Sequence, residues 1–166
     1  MSEIPVFRFA IRPDITNPQI FLPKKGTEKS TGFDVKVATR NQEKLIIRPG
    51  THVKIPLGFR VFAPEGWWLE LRPRSSTFAK KQLHALYGVI DEDYEGECLF
   101  ACQYLPDIKS LGNDLVLEYG DAIGQIIPVR RQEMIVEEIT NEDYDNACKA
   151  RAAYRGAGGF GSTDKR

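Results

Sequence analysis

Residues 45–73 read LIIRPGTHVKIPLGFRVFAPEGWWLELRP, and this stretch decides the fold class. Leu45-Ile46-Ile47 stops at Arg48-Pro49-Gly50, Val53-Lys54-Ile55 stops at Pro56, and Arg60-Val61-Phe62 stops at Ala63-Pro64-Glu65-Gly66. Trp67-Trp68-Leu69-Glu70-Leu71 then runs into Arg72-Pro73. Short apolar runs between Pro and Gly punctuation, at a spacing of about ten residues, are the pattern of an all-β sandwich or barrel.

The same pattern extends outward. Phe33, Val35 and Val37 alternate with Asp34 and Lys36 upstream, and residues 97–104, 115–118, 123–129 and 134–139 continue the series downstream. Two stretches read as helix. Residues 76–86 (STFAKKQLHAL) place Phe78, Leu83 and Leu86 near one face after a Ser-rich start that can cap. Residues 141–153 open with Asn and acids and close with Lys and Arg, which suits the helix dipole. The strand alternation predicts that one of Trp67 and Trp68 faces the core and the other an interface or solvent.

The chain has 166 residues, 42% of them hydrophobic and 28% charged, an ordinary balance for one soluble globular domain. Its 23 basic residues equal its 23 acidic ones, so no global field favours nucleic acid or an anionic membrane. Binding to phosphate must therefore come from local placement of Arg and backbone N–H groups. Cys98, Cys102 and Cys148 show no metal-binding or paired spacing and read as reduced thiols. No secretory h-region opens the sequence and no apolar run is long enough to span a bilayer, so a cytoplasmic location is expected. His52 and His84 read as surface or packing residues.

Five short segments carry candidate chemistry. They are Ser30-Thr31-Gly32-Phe33-Asp34, Arg72-Pro73-Arg74-Ser75-Ser76, and Gly88-Val89-Ile90-Asp91-Glu92-Asp93-Tyr94-Glu95-Gly96. The fourth is Gly120-Asp121-Ala122-Ile123-Gly124-Gln125, and the fifth runs from Arg155 to Thr163 as RGAGGFGST. Hydrolysis of a phosphoanhydride needs a water aimed at phosphorus and a group to receive its proton, which an Asp-rich turn beside Tyr94 offers. An Arg and two serines at the start of a helix suit phosphate. Consecutive glycines let backbone N–H groups form an anion nest, and an aromatic ring among them can stack on a base. Each segment alone also has a plain structural reading: a polar hairpin turn, a capped helix, a frayed tail.

Taken in order and spacing, the five segments resemble those of the homotrimeric dUTP pyrophosphatases (dUTPases) from about residue 20 to the C-terminus. The resemblance implies an all-β, jelly-roll-like barrel or sandwich with one or two short helices. It also implies a homotrimer made of a β domain over residues 1–154 and a Gly-rich arm over 155–166 that closes over a neighbour's active site. The implied reaction splits dUTP into dUMP and pyrophosphate with Mg²⁺, which keeps uracil out of DNA and supplies dUMP for thymidylate synthesis. Asp91 is the implied catalytic residue, and Tyr94 is implied to lie under the deoxyribose. Arg74, Ser75, Ser76 and Gln125 are implied at the triphosphate. The resemblance implies that the base is read at Ala85, Gly88, Val89 and Ile90, largely through backbone groups. In the arm, Arg155, Gly158, Gly159, Phe160, Gly161, Ser162 and Thr163 are implied to cover phosphate and uracil. Asp34 matches an acid that reaches Mg²⁺ through water.

Departures from the family pattern are visible. Ala85 stands where bacterial members often have Asn, Ser76 where many have Gly, and Asp164 where Gly is usual. Ala122 replaces an Arg, so a structural ion pair there is expected to be missing, while Asp121 reads as structural. A dCTP deaminase or bifunctional deaminase–dUTPase of the same superfamily is the nearest alternative, but the position of its catalytic Glu is Ala101 here. The sequence leaves open a regulatory protein partner on the same fold, and, more remotely, an unrelated all-β binding module.

Overall fold

In β10 (Leu99–Tyr104), Phe100, Cys102 and Tyr104 point into the core, while Leu99, Ala101 and Gln103 face away. That period of two recurs through a computed structural model that describes residues 4–151. The other strands are β1 (Arg8–Ile11), β2 (Lys24–Lys25), β3 (Phe33–Lys36), β4 (Leu45–Ile47), β5 (His52–Pro56), β6 (Phe59–Phe62) and β7 (Trp67–Pro73). After the helix α1 (Ser75–Ala79) come β8 (Leu83–Ala85), β9 (Gly88–Ile90), β11 (Leu115–Leu117) and β12 (Ala122–Arg130). A second helix, α2, spans Asn141–Lys149. The protein is all-β with two short α-helices among the described residues.

Every pairing among the described strands is antiparallel, and all but β2-β3 join strands that are not consecutive in the chain. A five-stranded sheet runs β2-β3-β12-β7-β9, a three-stranded one β5-β10-β8, and two pairs are β1-β6 and β11-β4. Their inner faces share one core that includes Val35, Ile55, Leu69, Leu71, Phe100 and Ile126. Gly124 of β12 shows how closely the two larger sheets approach. A Cβ there would lie 2.9 Å from the Phe100 ring and 3.0 Å from the Arg72 carbonyl oxygen, so only glycine leaves room. Truncating a ring buried like Phe100 costs about 3–5 kcal/mol.

The chain divides into two units, Met1–Gln132 and Glu133–Arg166. All twelve strands and α1 belong to the first. In the second, residues 134–139 form no strand among the described residues. Met134, Ile135 and Val136 are 83–95% exposed, which corrects the expectation that the strand series continues there. α2 starts where its sequence says it should, with the Thr140 hydroxyl accepting from the Asp143 N–H at 3.1 Å. The end expected at residue 153 lies outside the described residues.

The helix expected over 76–86 is also corrected. α1 ends at Ala79, Gln82 adopts a left-handed φ of 54°, and Leu83 and Ala85 pair with Tyr104 and Cys102 of β10. Leu83 is buried in the core, whereas Phe78 and Leu86, its expected partners on a helical face, are exposed. Pairing with a distant strand overrides a weak local periodicity. Neither indole enters the core: Trp67 and Trp68 are both half-buried, and Leu69 and Leu71 fill the inner positions of β7.

Candidate active site

The outer face of the five-stranded sheet collects the first group of expected site residues. Gln125 of β12 sits opposite Asp34 of β3 on one side and Arg72 of β7 on the other. The side-chain amide of Gln125 donates to the Pro73 carbonyl at 3.1 Å. Gly32 makes this packing feasible, because a Cβ there would fall 2.1 Å from Gln125 Oε1. Arg74 closes the group, its Nε 3.1 Å from Asp34 Oδ1.

Arg74 immediately precedes α1, so Ser75 and Ser76 form its first turn, the former exposed and the latter half-buried. Thr77 fixes that start. Its Oγ1 accepts from the Arg74 N–H at 3.3 Å and donates to the Ile123 carbonyl at 2.6 Å, in full burial. Thr77 was not among the residues expected from sequence. A hydroxyl residue three positions after Arg74, able to reach back to that residue's N–H, was the available signal.

Asp91 lies elsewhere. β9 pairs with β7 so that Gly88 faces Leu71 and Ile90 faces Leu69, and the antiparallel direction carries the chain away from Arg74. Asp91 therefore continues opposite position 68 rather than 74, about 20 Å of strand rise from the Arg74 end. It is exposed at the start of a turn closed by the Tyr94 N–H donating to the Asp91 carbonyl at 3.2 Å. The carboxylate lines a concavity of about 380 Å³ with Trp67, Trp68, Val89, Glu92, Asp93, Arg131 and Gln132. Tyr94 donates its hydroxyl proton to the Glu97 carbonyl at 3.1 Å, and its ring lies over Gly96, where a Cβ would meet the phenol oxygen at 2.4 Å. The ring is thus held by its far end, with 43% of the residue exposed.

Ala85 belongs to a third place. It is half-buried in β8 beside Cys102, lining a concavity with His52, Lys54, His84, Ala101 and Gln103. Gly88, Val89 and Ile90 extend from there toward Asp91. His84 packs edge-on against Phe78 at 5.1 Å, a packing role. Arg155, Gly158, Gly159, Phe160, Gly161, Ser162 and Thr163 lie outside the described residues.

Asp121 is structural, accepting from the Glu118 N–H at 3.2 Å and pairing with Lys81 Nζ at 3.2 Å. An ion pair is thus present beside Ala122, supplied by a lysine just beyond the end of α1. Among the described residues no group of three or more His, Cys, Asp or Glu side chains could enclose a metal ion. A single carboxylate at Asp34 still suits Mg²⁺, which keeps waters and takes phosphate oxygens as ligands. No helix among them is long and apolar enough to cross a membrane.

The family model described as dUTPase matches residues 19–164. The deoxyuridine 5'-triphosphate nucleotidohydrolase of Caulobacter vibrioides is 32% identical over 150 residues, covering 89% of this chain and 88% of that one. The crystal structure of the dUTPase from Streptococcus mutans aligns with a TM-score of 0.66 at 30% identity, over 77% of this chain and 98% of its own. The Staphylococcus bacteriophage 80alpha dUTPase with dUPNHPP reaches a TM-score of 0.74 over 95% of this chain and 97% of that one. At 19% identity, it speaks for the fold alone.

Proposed function

This chain belongs to the dUTPase family and hydrolyses dUTP to dUMP and pyrophosphate, and we propose that Asp91 receives the attacking water's proton at a site assembled between copies of the chain. One observation carries the second half: the strand register separates Asp91 from Arg74, Asp34 and Gln125 along β7 within a single chain. A second copy can bring an Asp91 turn against an Arg74 group, and a homotrimer supplies three such junctions.

At each junction the residues divide the work. Arg74, the hydroxyls of Ser75 and Ser76, and the side-chain amide of Gln125 hold the triphosphate through charge-assisted hydrogen bonds. Asp91 orients a water toward the anhydride between the α- and β-phosphorus atoms and takes its proton as the P–O bond breaks. Tyr94, braced by Gly96 and the Glu97 carbonyl, supports the deoxyribose and leaves no room for a 2′-hydroxyl. Backbone groups at Ala85, Gly88, Val89 and Ile90 read the uracil edge. Bound Mg²⁺ would neutralise charge building on the phosphate oxygens, with Asp34 reaching it through water. Arg155, Gly158, Gly159, Phe160, Gly161, Ser162 and Thr163 then close over the nucleotide, as an arm (155–166) on a body of residues 1–154. The jelly-roll topology and a cytoplasmic location complete the reading, the latter supported by three unpaired cysteines.

Pyrophosphate release from dUTP, dCTP, dTTP and UTP, with and without Mg²⁺, tests selectivity: dUTP alone turns over well, and comparable kcat/KM for UTP removes the role of Tyr94. Asp91→Asn keeps nucleotide binding and loses about 10²–10⁴-fold in turnover. Truncation after Tyr154 leaves the assembly intact and impairs catalysis. Mixed trimers of truncated and Asp91→Asn chains regain activity, and verified mixed trimers without it mean that each arm serves its own subunit.

A further inference from the structure

Glu92 does not share the exposure of its neighbours in the acidic turn. Asp91 and Glu95 are exposed, whereas the Glu92 side chain retains 27% of its exposure and turns back onto the body. A single oxygen, Glu92 Oε2, accepts from the Gly66 N–H at 2.8 Å and from Arg131 Nη1 at 2.7 Å. The Arg131 N–H in turn donates to the Gly66 carbonyl at 2.8 Å. Three segments far apart in sequence are thereby tied in one closed ring: the turn between β6 and β7, the turn after β9, and the chain just beyond β12.

The geometry points to Glu92 as a positioning residue for Asp91, held in place by Gly66 and Arg131. Three considerations support this beyond the distances. First, the Arg131 side chain is half exposed, so the ion pair contributes little to global stability. Its effect falls on the placement of the three segments it joins, the turn that carries Asp91 among them. Second, Gly66 has a φ of +76°, the left-handed region that glycine enters without strain and that aims its N–H toward Glu92. Third, no side-chain bond of Asp91 is seen among the described residues, so the backbone of its turn, closed by the Tyr94 N–H on the Asp91 carbonyl, is what places its side chain. A carboxylate that orients water has to be held to about half an ångström. Glu92 acts through the backbone of its neighbour and does not touch the reacting atoms.

The proposal rests on Asp91 being the catalytic residue, and Asp91→Asn measured alongside separates the two ideas. In the full-length protein, Glu92→Ala lowers kcat for dUTP at least tenfold and leaves KM and dUpNHpp affinity within threefold. Glu92→Gln keeps an oxygen acceptor for both donors and stays within about threefold of the parent kcat. Arg131→Ala reproduces part of the loss, and adding it to Glu92→Ala costs less than the product of the two single effects. Arg131→Lys restores most of kcat. Should Glu92→Ala fail to assemble, the contrast between Arg131→Ala and Arg131→Lys decides. A kcat within twofold of the parent for Glu92→Ala, or for Arg131→Ala in that case, overturns the proposal, as does an equal shift in kcat and analogue affinity. Full activity of Asp91→Asn instead removes the catalytic assignment beneath it.

Discussion

Arg74 and Asp34, the residues expected to hold phosphate and to approach magnesium, are paired with each other at 3.1 Å. Both side chains keep substantial exposure, 37% and 28%, so the pair is worth at most about 1 kcal/mol and is easily exchanged for a triphosphate oxygen. On the proposed function, each partner is held ready by the other until nucleotide arrives. Asp34→Asn should release Arg74. Calorimetry with dUpNHpp in EDTA should show affinity raised about threefold, while the gain on adding Mg²⁺ shrinks. Unchanged affinities in both conditions would falsify the coupling.

Two glycines separate activity from stability. At Gly32 an added methyl collides mainly with the Gln125 amide, the movable end of a flexible side chain, and lies a tighter 3.1 Å from its fixed Cβ, so Gly32→Ala should cost less stability than Gly124→Ala while displacing Gln125. We expect kcat/KM to fall about tenfold, about 1.4 kcal/mol, with the thermal midpoint lowered less than in Gly124→Ala. At Gly124 the methyl meets the Phe100 ring and the Arg72 carbonyl, neither able to move far. Gly124→Ala should destabilise by about 1–3 kcal/mol in denaturant unfolding. The reverse ranking would show that the packing at these sites has been misread.

Thr77 links the start of α1, where we propose that phosphate binds, to β12 from a fully buried position. Thr77→Val removes the hydroxyl but keeps the shape, leaving the Ile123 carbonyl and the Arg74 N–H without this partner. Urea unfolding should report a loss of about 1–3 kcal/mol, and Thr77→Ser should recover much of it. Equal stability of the Val variant would mean that the hydroxyl bridges nothing of consequence.

Burial pushes the Cys98 thiol up to about 12, with Glu97 adding a smaller repulsion, and pushes Cys102 up to about 11. Both lie above the ordinary 9.0, so the folded state binds these protons more tightly than the unfolded state. That contribution to stability is fully present below about pH 9 and is lost as pH rises through 11 to 12. At pH 8 a thiol reagent should modify Cys148, which is partly exposed, quickly, and the two core cysteines only on unfolding. Fast modification of all three without denaturant would contradict the burial.

What the sequence determined by itself was whatever depends on local pattern. Alternation in Phe33 to Val37, and runs such as Leu45-Ile46-Ile47 cut by Pro and Gly, name strands because one face of each must be buried. The five segments named the family because their residue types and order survive without knowledge of which strands pair. The tertiary structure alone decided what depends on register. Residues 76–86 carry a weak helical period, yet β10 captures Leu83 and Ala85, and no local signal announces that partner. The contact of Asp34 with Arg74 arises only because β12 brings β3 and β7 to either side of Gln125. Glu92 looked like one more acid in a polar turn until the fold carried Gly66 and Arg131 to its carboxylate. Side-chain alternation is a property of a strand and its own residues. Which two side chains meet is a property of the pairing, and a shift of one residue in register would turn each of them to the other face.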